Sequence, residues 1–199
     1  MQVTNNRKTD NPIDPLFLNR WSTRAYDGAP MAKEDLLSMI EAARWAPSAY
    51  NIQPWRFIYV ERTDPNWDAT IALLDPFNAS WGKDASAAIF LLSDTLVNVP
   101  DSDDTRPSGY HSFDAGSAWA QLGLQAHLLG YSAHAVAGLY HDKVKERFNV
   151  PDRFKVEIAI LVGKRTTPEK LPEALQERET PSPRLAFDQI AFEGSFSHE

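Results

Sequence analysis

The sequence predicts a single α+β domain. Three observations carry that reading. Residues 56–60 (RFIYV), 85–92 (ASAAIFLL) and 155–162 (KVEIAILV) are short apolar runs of strand composition. Between them lie stretches whose apolar residues recur at helical spacing. The chain has 199 residues, 43% of them hydrophobic and 24% charged, which suits one globular domain able to bury a core. No internal repeat, low-complexity tract or second-domain boundary interrupts residues 1–199.

Residues 1–12 are polar, and the first ten lack the apolar stretch of a signal peptide. Residues 19–27 (NRWSTRAYD) alternate Arg20, Ser22 and Arg24 with Trp21, Thr23 and Ala25. In extended geometry this sets two guanidinium groups and a hydroxyl on one side, a set of donors suited to a phosphate. Residues 33–45 read as an amphipathic helix through Leu36, Leu37, Ile40 and Ala43, stopped by Pro47. Pro47 and Pro54 then bracket Ser48, Ala49, Tyr50, Asn51, Ile52 and Gln53. Proline fixes its own φ and restricts the residue before it, so this loop is held open between helix and strand, its amides turned to a ligand.

The run at 85–92 is apolar on both faces, as in a fully buried strand. Residues 94–111 are rich in turn formers and read as a solvated loop that covers a site, with Tyr110 near its end. Its acidic cluster is not a calcium loop. Counting from Asp101, the positions that require glycine and glutamate hold Arg106 and Ser112. Residues 112–129 form the longest helical pattern, apolar on nearly every side, with Gly116, Ala120 and Gly123 inviting close approach. Such a helix is either a central core helix or half of a subunit interface. Residues 132–138 are expected to be extended, 141–148 to be helical, and 164–199 to form a proline-rich arm whose spaced apolar residues dock elsewhere.

A net charge of −7 disfavours nucleic acid as a partner. No apolar run approaches the roughly 18 residues of a membrane span. The absence of cysteine excludes thiol nucleophiles and thiolate metal sites, and it fits a cytoplasmic location. The histidines at 111, 127, 134, 141 and 198 share no metal-ligand spacing, and His127 reads as a core histidine. Neither a nucleophile elbow nor a phosphate-cradling glycine loop is present. With anion-binding and amide groups but no acid, base or nucleophile, the chain fits a protein whose cofactor carries the chemistry.

In order and spacing, NRWSTRAYD, AARWAPSAYNIQPWRF, DAGSAWAQLGLQAHLLGYSAHAVAG and EIAILVGKR…PSPRLAFDQI resemble the FMN-dependent nitroreductase family. The A-P-S-x-x-N-x-Q-P-W run is the most specific of these. The resemblance implies a three-layer α/β/α fold with a mixed central sheet, flanking helices and a C-terminal arm extending onto a partner subunit. It also implies a homodimer with FMN at the interface and NAD(P)H as reductant. A nitroaromatic, quinone or similar acceptor is then reduced by a ping-pong mechanism. Other flavin chemistry on the same scaffold (dehalogenation, dehydrogenation, flavin fragmentation) and a non-enzymatic flavin-binding protein are the alternatives.

Carried over by residue, Arg20, Ser22, Arg24 and Arg184 resemble the contacts to the FMN phosphate and ribityl chain. Pro47, Ser48, Ala49, Asn51 and Gln53 resemble the loop that reaches the flavin from the partner. Ala137 and Gly138 resemble the backbone facing the flavin N5 edge. The family often has a glutamate at the position of Ala137. A backbone N–H survives that change, whereas a side-chain role does not. No catalytic side chain and no metal ligand is implied.

Overall fold

The computed structural model describes residues 5–196. The first four residues of the polar N-terminus and His198 lie outside them. A short first helix, α1 (Pro15–Asn19), begins with Asp14 as N-cap, its carboxylate accepting the Leu16 N–H, and Pro15 in the first turn. Helix α2 (Lys33–Arg44) carries Glu34 and Asp35 in its first turn and Arg44 in its last, signs that suit the helix dipole. After it come β1 (Trp55–Glu61), α3 (Trp67–Ile71), α4 (Pro76–Gly82) and β2 (Ala87–Asp94). A hairpin of β3 (Leu96–Asn98) and β4 (Thr105–Pro107) leads to the 18-residue α5 (His111–Leu128). The chain continues through β5 (Ser132–Val136), α6 (His141–Phe148), β6 (Phe154–Gly163) and α7 (Glu173–Gln176).

The main sheet has the order β1-β2-β6-β5. All eight residues of β2 are buried, as the continuous apolar run requires. Alternate residues point to opposite faces. Ala88, Phe90 and Leu92 join one core with Trp67, Trp81, Val144 and Leu175 of α3, α4, α6 and α7. Ala87, Ile89 and Leu91 join a second with Leu36, Met39, Ala118 and Leu122 of α2 and α5. The two cores on either side of one sheet make three α/β/α layers.

Two expectations differ. A mixed sheet was expected, but among the described residues all three pairings in the main sheet are antiparallel. A parallel neighbour would need a further edge strand, and the segment after β6 carries Pro168, Pro172, Pro181 and Pro183, which have no N–H to give to a ladder. The central helix, expected as either a core helix or half of a subunit interface, is buried on one face. Ala115, Ala118, Leu122 and Ala126 face the core, while Phe113 (76% exposed), Gly116, Ala120 and Leu128 (65%) form a stripe open to solvent. Within the supposed loop 94–111, the β3–β4 hairpin was not anticipated. Its strands are only three residues each, too short for a periodic signal.

Candidate functional site

The segment after α1 runs extended with the predicted sidedness. Trp21, Thr23 and Ala25 are buried; Arg20, Ser22 and Arg24 are half-buried on the other side. The segment is fixed from far along the chain by Glu179, itself 4% exposed. The Glu179 carboxylate accepts the Thr23 hydroxyl, the Arg24 N–H at 2.9 and 3.1 Å and the Ala25 N–H at 3.1 Å. A buried carboxylate is tolerated there because it is hydrogen-bonded.

Arg184 reaches this place from the C-terminal segment. Burial, and next the charge of Arg184, lower the pKa of Arg20. Burial, then Arg184 and Arg20, do the same to Arg7. Among the described residues none of these three arginines is in an ion pair. Among the described residues the Nε of Arg24 is buried without a hydrogen-bond partner, and the Arg24 Cζ lies 6.0 Å from the centre of the Trp81 ring. Like charges held together and a donor left unpaired both cost free energy, and an anion offsets both. His127, half-buried in the last turn of α5, faces the same charges. Burial, followed by Arg20 and Arg165, lowers its pKa, so it stands beside the arginine cluster instead of within a core.

From this cluster β5 leads to the second predicted group. The His134 ring packs against Trp81 with centroids 4.8 Å apart, and its Nδ1 bonds the Thr23 carbonyl at 2.9 Å. Just past the end of the strand lie exposed Ala137 and half-buried Gly138. The Gly138 carbonyl accepts the Asp75 N–H (2.9 Å) and Asn78 Nδ2 (3.3 Å) at the start of α4. A Cβ on Gly138 would lie 1.9 Å from Asp75 Oδ2 and 2.5 Å from Asn78 Nδ2. Gly138→Ala should therefore displace the cap of α4 and cost about 1–3 kcal/mol by overpacking. Calorimetry checks this; an unchanged melting temperature would contradict the close packing.

The loop 47–53 is built differently. Tyr50, Asn51 and Gln53 have φ of 50°, 55° and 53°, a region disfavoured for side-chain-bearing residues. Two ties hold it: Ser48 Oγ accepts the Gln53 N–H at 3.0 Å, and buried Asp114 accepts the Ala49 N–H at 3.2 Å. Pro47, Asn51 and Gln53 are exposed. The first turn of α5, which carries Asp114, is itself pinned. The bulge opposite Leu91/Leu92 leaves Glu157 out of the ladder, and its carboxylate accepts Ser93 and Ser112 hydroxyls, each at 2.6 Å.

Arg20 thus stands by His127 at the C-terminal end of α5 and by Arg184, with Ser22 and Arg24 on the same extended segment and Ala137 and Gly138 just past β5. The loop residues Pro47, Ser48, Ala49, Asn51 and Gln53 are not brought to them within one chain. Asp114, which holds the loop, and His127, beside the arginines, are separated by about 20 Å along the helix axis. Arg7, Glu179, Asp75 and Asn78 were not read from the sequence. Asp75-Pro76 is a helix-start signal that could have marked Asp75; the others act across chain separations that leave no local pattern. A groove of about 190 Å³ beside Arg56, Phe148 and Phe154 touches none of the predicted residues. Among the described residues, no set of three or more His, Asp or Glu could hold a metal, and no helix is long and apolar enough to cross a membrane.

The model of the nitroreductase family matches residues 18–69, spanning both the arginine segment and the loop. A solved structure of an oxidoreductase containing FMN is 46% identical, with both chains covered over 100% of their length and a TM-score of 0.95. The CLA biosynthesis enone reductase of Lactiplantibacillus plantarum is 25% identical over 189 residues, 78% of this chain and 86% of that one. The oxygen-insensitive NADPH nitroreductase of Helicobacter pylori is 35% identical over 79 residues, 39% of this chain and 37% of that one.

Proposed function

The chain belongs to the nitroreductase family, and from that premise we propose that it is a homodimeric FMN oxidoreductase. It takes hydride from NAD(P)H and reduces a nitroaromatic, quinone or related small-molecule acceptor by a ping-pong mechanism, in the cytoplasm. The observation that carries the cofactor assignment is that Arg7 ties Arg20 to the turn of Arg184, with neither Arg20 nor Arg184 in an ion pair and the Nε of Arg24 unpartnered among the described residues. These groups suit a phosphate dianion. FMN bound there would supply the hydride and electron transfer between the two substrates.

The residues of the chain bind and orient. Arg20, Ser22, Arg24 and Arg184 hold the phosphate end by charge-assisted hydrogen bonds, each contributing about 1.5–3 kcal/mol. Glu179 fixes the Arg24 backbone at that end. Asp75 and Asn78 hold the Gly138 carbonyl, and the Ala137–Gly138 backbone they fix would face the flavin. The amides of Asn51 and Gln53 carry both donors and acceptors, matching the mixed edge of the flavin pyrimidine. No side chain serves as acid or base.

The length of α5 favours a dimer. Asp114, which holds the loop, lies about 20 Å along the helix axis from His127, which faces Arg20. Two copies of α5 packed antiparallel across a two-fold axis through the open stripe bring the loop of each beside the arginines of the other. Gly116 suits that contact, since a Cβ built on it meets nothing within 4 Å in its own chain. Exposed Leu185, Phe187 and Ile190 (67%, 51% and 60%) suit an arm laid on the partner.

Purified protein should be yellow, or become so on addition of FMN, and should bleach anaerobically with NADH or NADPH. Protein that gains no flavin absorbance would overturn the reading. Arg20→Ala should weaken FMN binding ten- to a hundredfold, equivalent to about 1.5–3 kcal/mol, by fluorescence titration. Equal affinity would remove Arg20 from the phosphate.

A further inference from the structure

We propose that Arg7 is a positioning residue for the phosphate site, clipping together the two chain segments that carry Arg20 and Arg184. The inference rests on the FMN reading. Arg7 Nε donates to the Ser182 carbonyl at 2.8 Å, two residues before Arg184. Its Nη1 donates to the carbonyls of Leu18 (3.1 Å) and of Arg20 itself (2.9 Å). One guanidinium thus spans three carbonyls on segments more than 160 residues apart in sequence.

The clip has work to do because its two clients repel. Burial and the charge of Arg184 lower the pKa of Arg20, and Arg7 adds a third positive charge to the pair. Arg184 donates from Nη1 to the Ser182 and Pro183 carbonyls at 3.4 and 3.0 Å, both within its own exposed turn. Those bonds shape the turn but do not bring it to Arg20. The fork of Arg7 does, with its donors in fixed directions that an ammonium cannot reproduce. The ends of α1 and of the C-terminal segment are therefore held at one spacing before any anion arrives, which lowers the ordering cost of binding. Asn5 seats the N-terminal segment for this contact, its Nδ2 donating to the Leu18 carbonyl at 3.0 Å.

The test uses the full-length dimer, with FMN and riboflavin titrated into the wild type, Arg7→Ala, Arg7→Lys and Arg20→Ala. Arg7→Ala and Arg7→Lys are both expected to weaken FMN about tenfold and to leave riboflavin, which has no phosphate, unchanged. Recovery of FMN affinity in Arg7→Lys means that charge alone matters and overturns the clip. Equal losses for FMN and riboflavin mean general disturbance of the fold and overturn it too, as does wild-type affinity in both variants. Wild-type protein that binds neither flavin sinks the FMN reading itself. An Arg20→Ala defect without an Arg7 defect sinks only the clip.

Discussion

Ala120→Arg is expected to give a folded monomer that no longer retains FMN. Ala120 lies on the open face of α5, between Gly116 and Leu124, and is exposed within the chain. An arginine there strains nothing in the monomer but places a large charge on each side of a two-fold contact, where like charges cannot be buried unpaired. Size-exclusion chromatography should show half the native mass, with unchanged far-ultraviolet circular dichroism. Flavin affinity should fall at least a hundredfold, more than for any single phosphate contact, because the monomer loses the whole loop 47–53 from its site. The paired control is Arg20→Ala, which should lose affinity and stay dimeric. A monomeric Ala120→Arg protein that binds FMN as well as the wild type would contradict the assignment of the loop to the partner's site.

The sequence read most clearly where a period was present. Arg20, Ser22 and Arg24 alternate with Trp21, Thr23 and Ala25, and a period of two survives folding because a strand has two faces. The unbroken apolar run of β2 likewise meant burial on both faces. The open stripe of α5 was ambiguous for a physical reason. Glycine and alanine permit close approach of any neighbour, so Gly116 and Ala120 look the same whether a sheet or a second subunit covers them. Helix α1 had a signal, Asp14 before Pro15, that lay hidden in a polar stretch. Glu179 and Arg7 had none. Their partners are set by how the chain's two ends cross, and no local preference encodes that. The strained backbone at Tyr50, Asn51 and Gln53 was equally invisible, since the two prolines fix where the loop starts and stops but not the φ values between them.

Acid should destabilise the flavin-free protein through His134, and His134→Gln should remove much of that sensitivity. Burial, against the hydrogen bond to the Thr23 carbonyl and with the charges of Arg24 and Arg20, lowers the His134 pKa to about 4. An unfolded histidine titrates near pH 6.5. Between these values the unfolded chain binds the extra proton, so stability rises with pH across that window and falls on acidification. The full effect is present above about pH 6.5, and it is lost progressively down to about pH 4. At pH 5 the loss amounts to about 2 kcal/mol, within a total of about 3 kcal/mol. Glutamine is neutral and does not titrate, so carboxylate contributions remain and the histidine part is removed. Urea unfolding at pH 7 and pH 5, at one protein concentration because subunit association contributes, measures the difference. The wild type should lose about 2 kcal/mol more than the variant between the two conditions. Equal losses would mean that His134 is already protonated at pH 5 in the folded protein. The ring would then carry a positive charge beside Arg24 and Arg20, and the acid response would have to come from other groups.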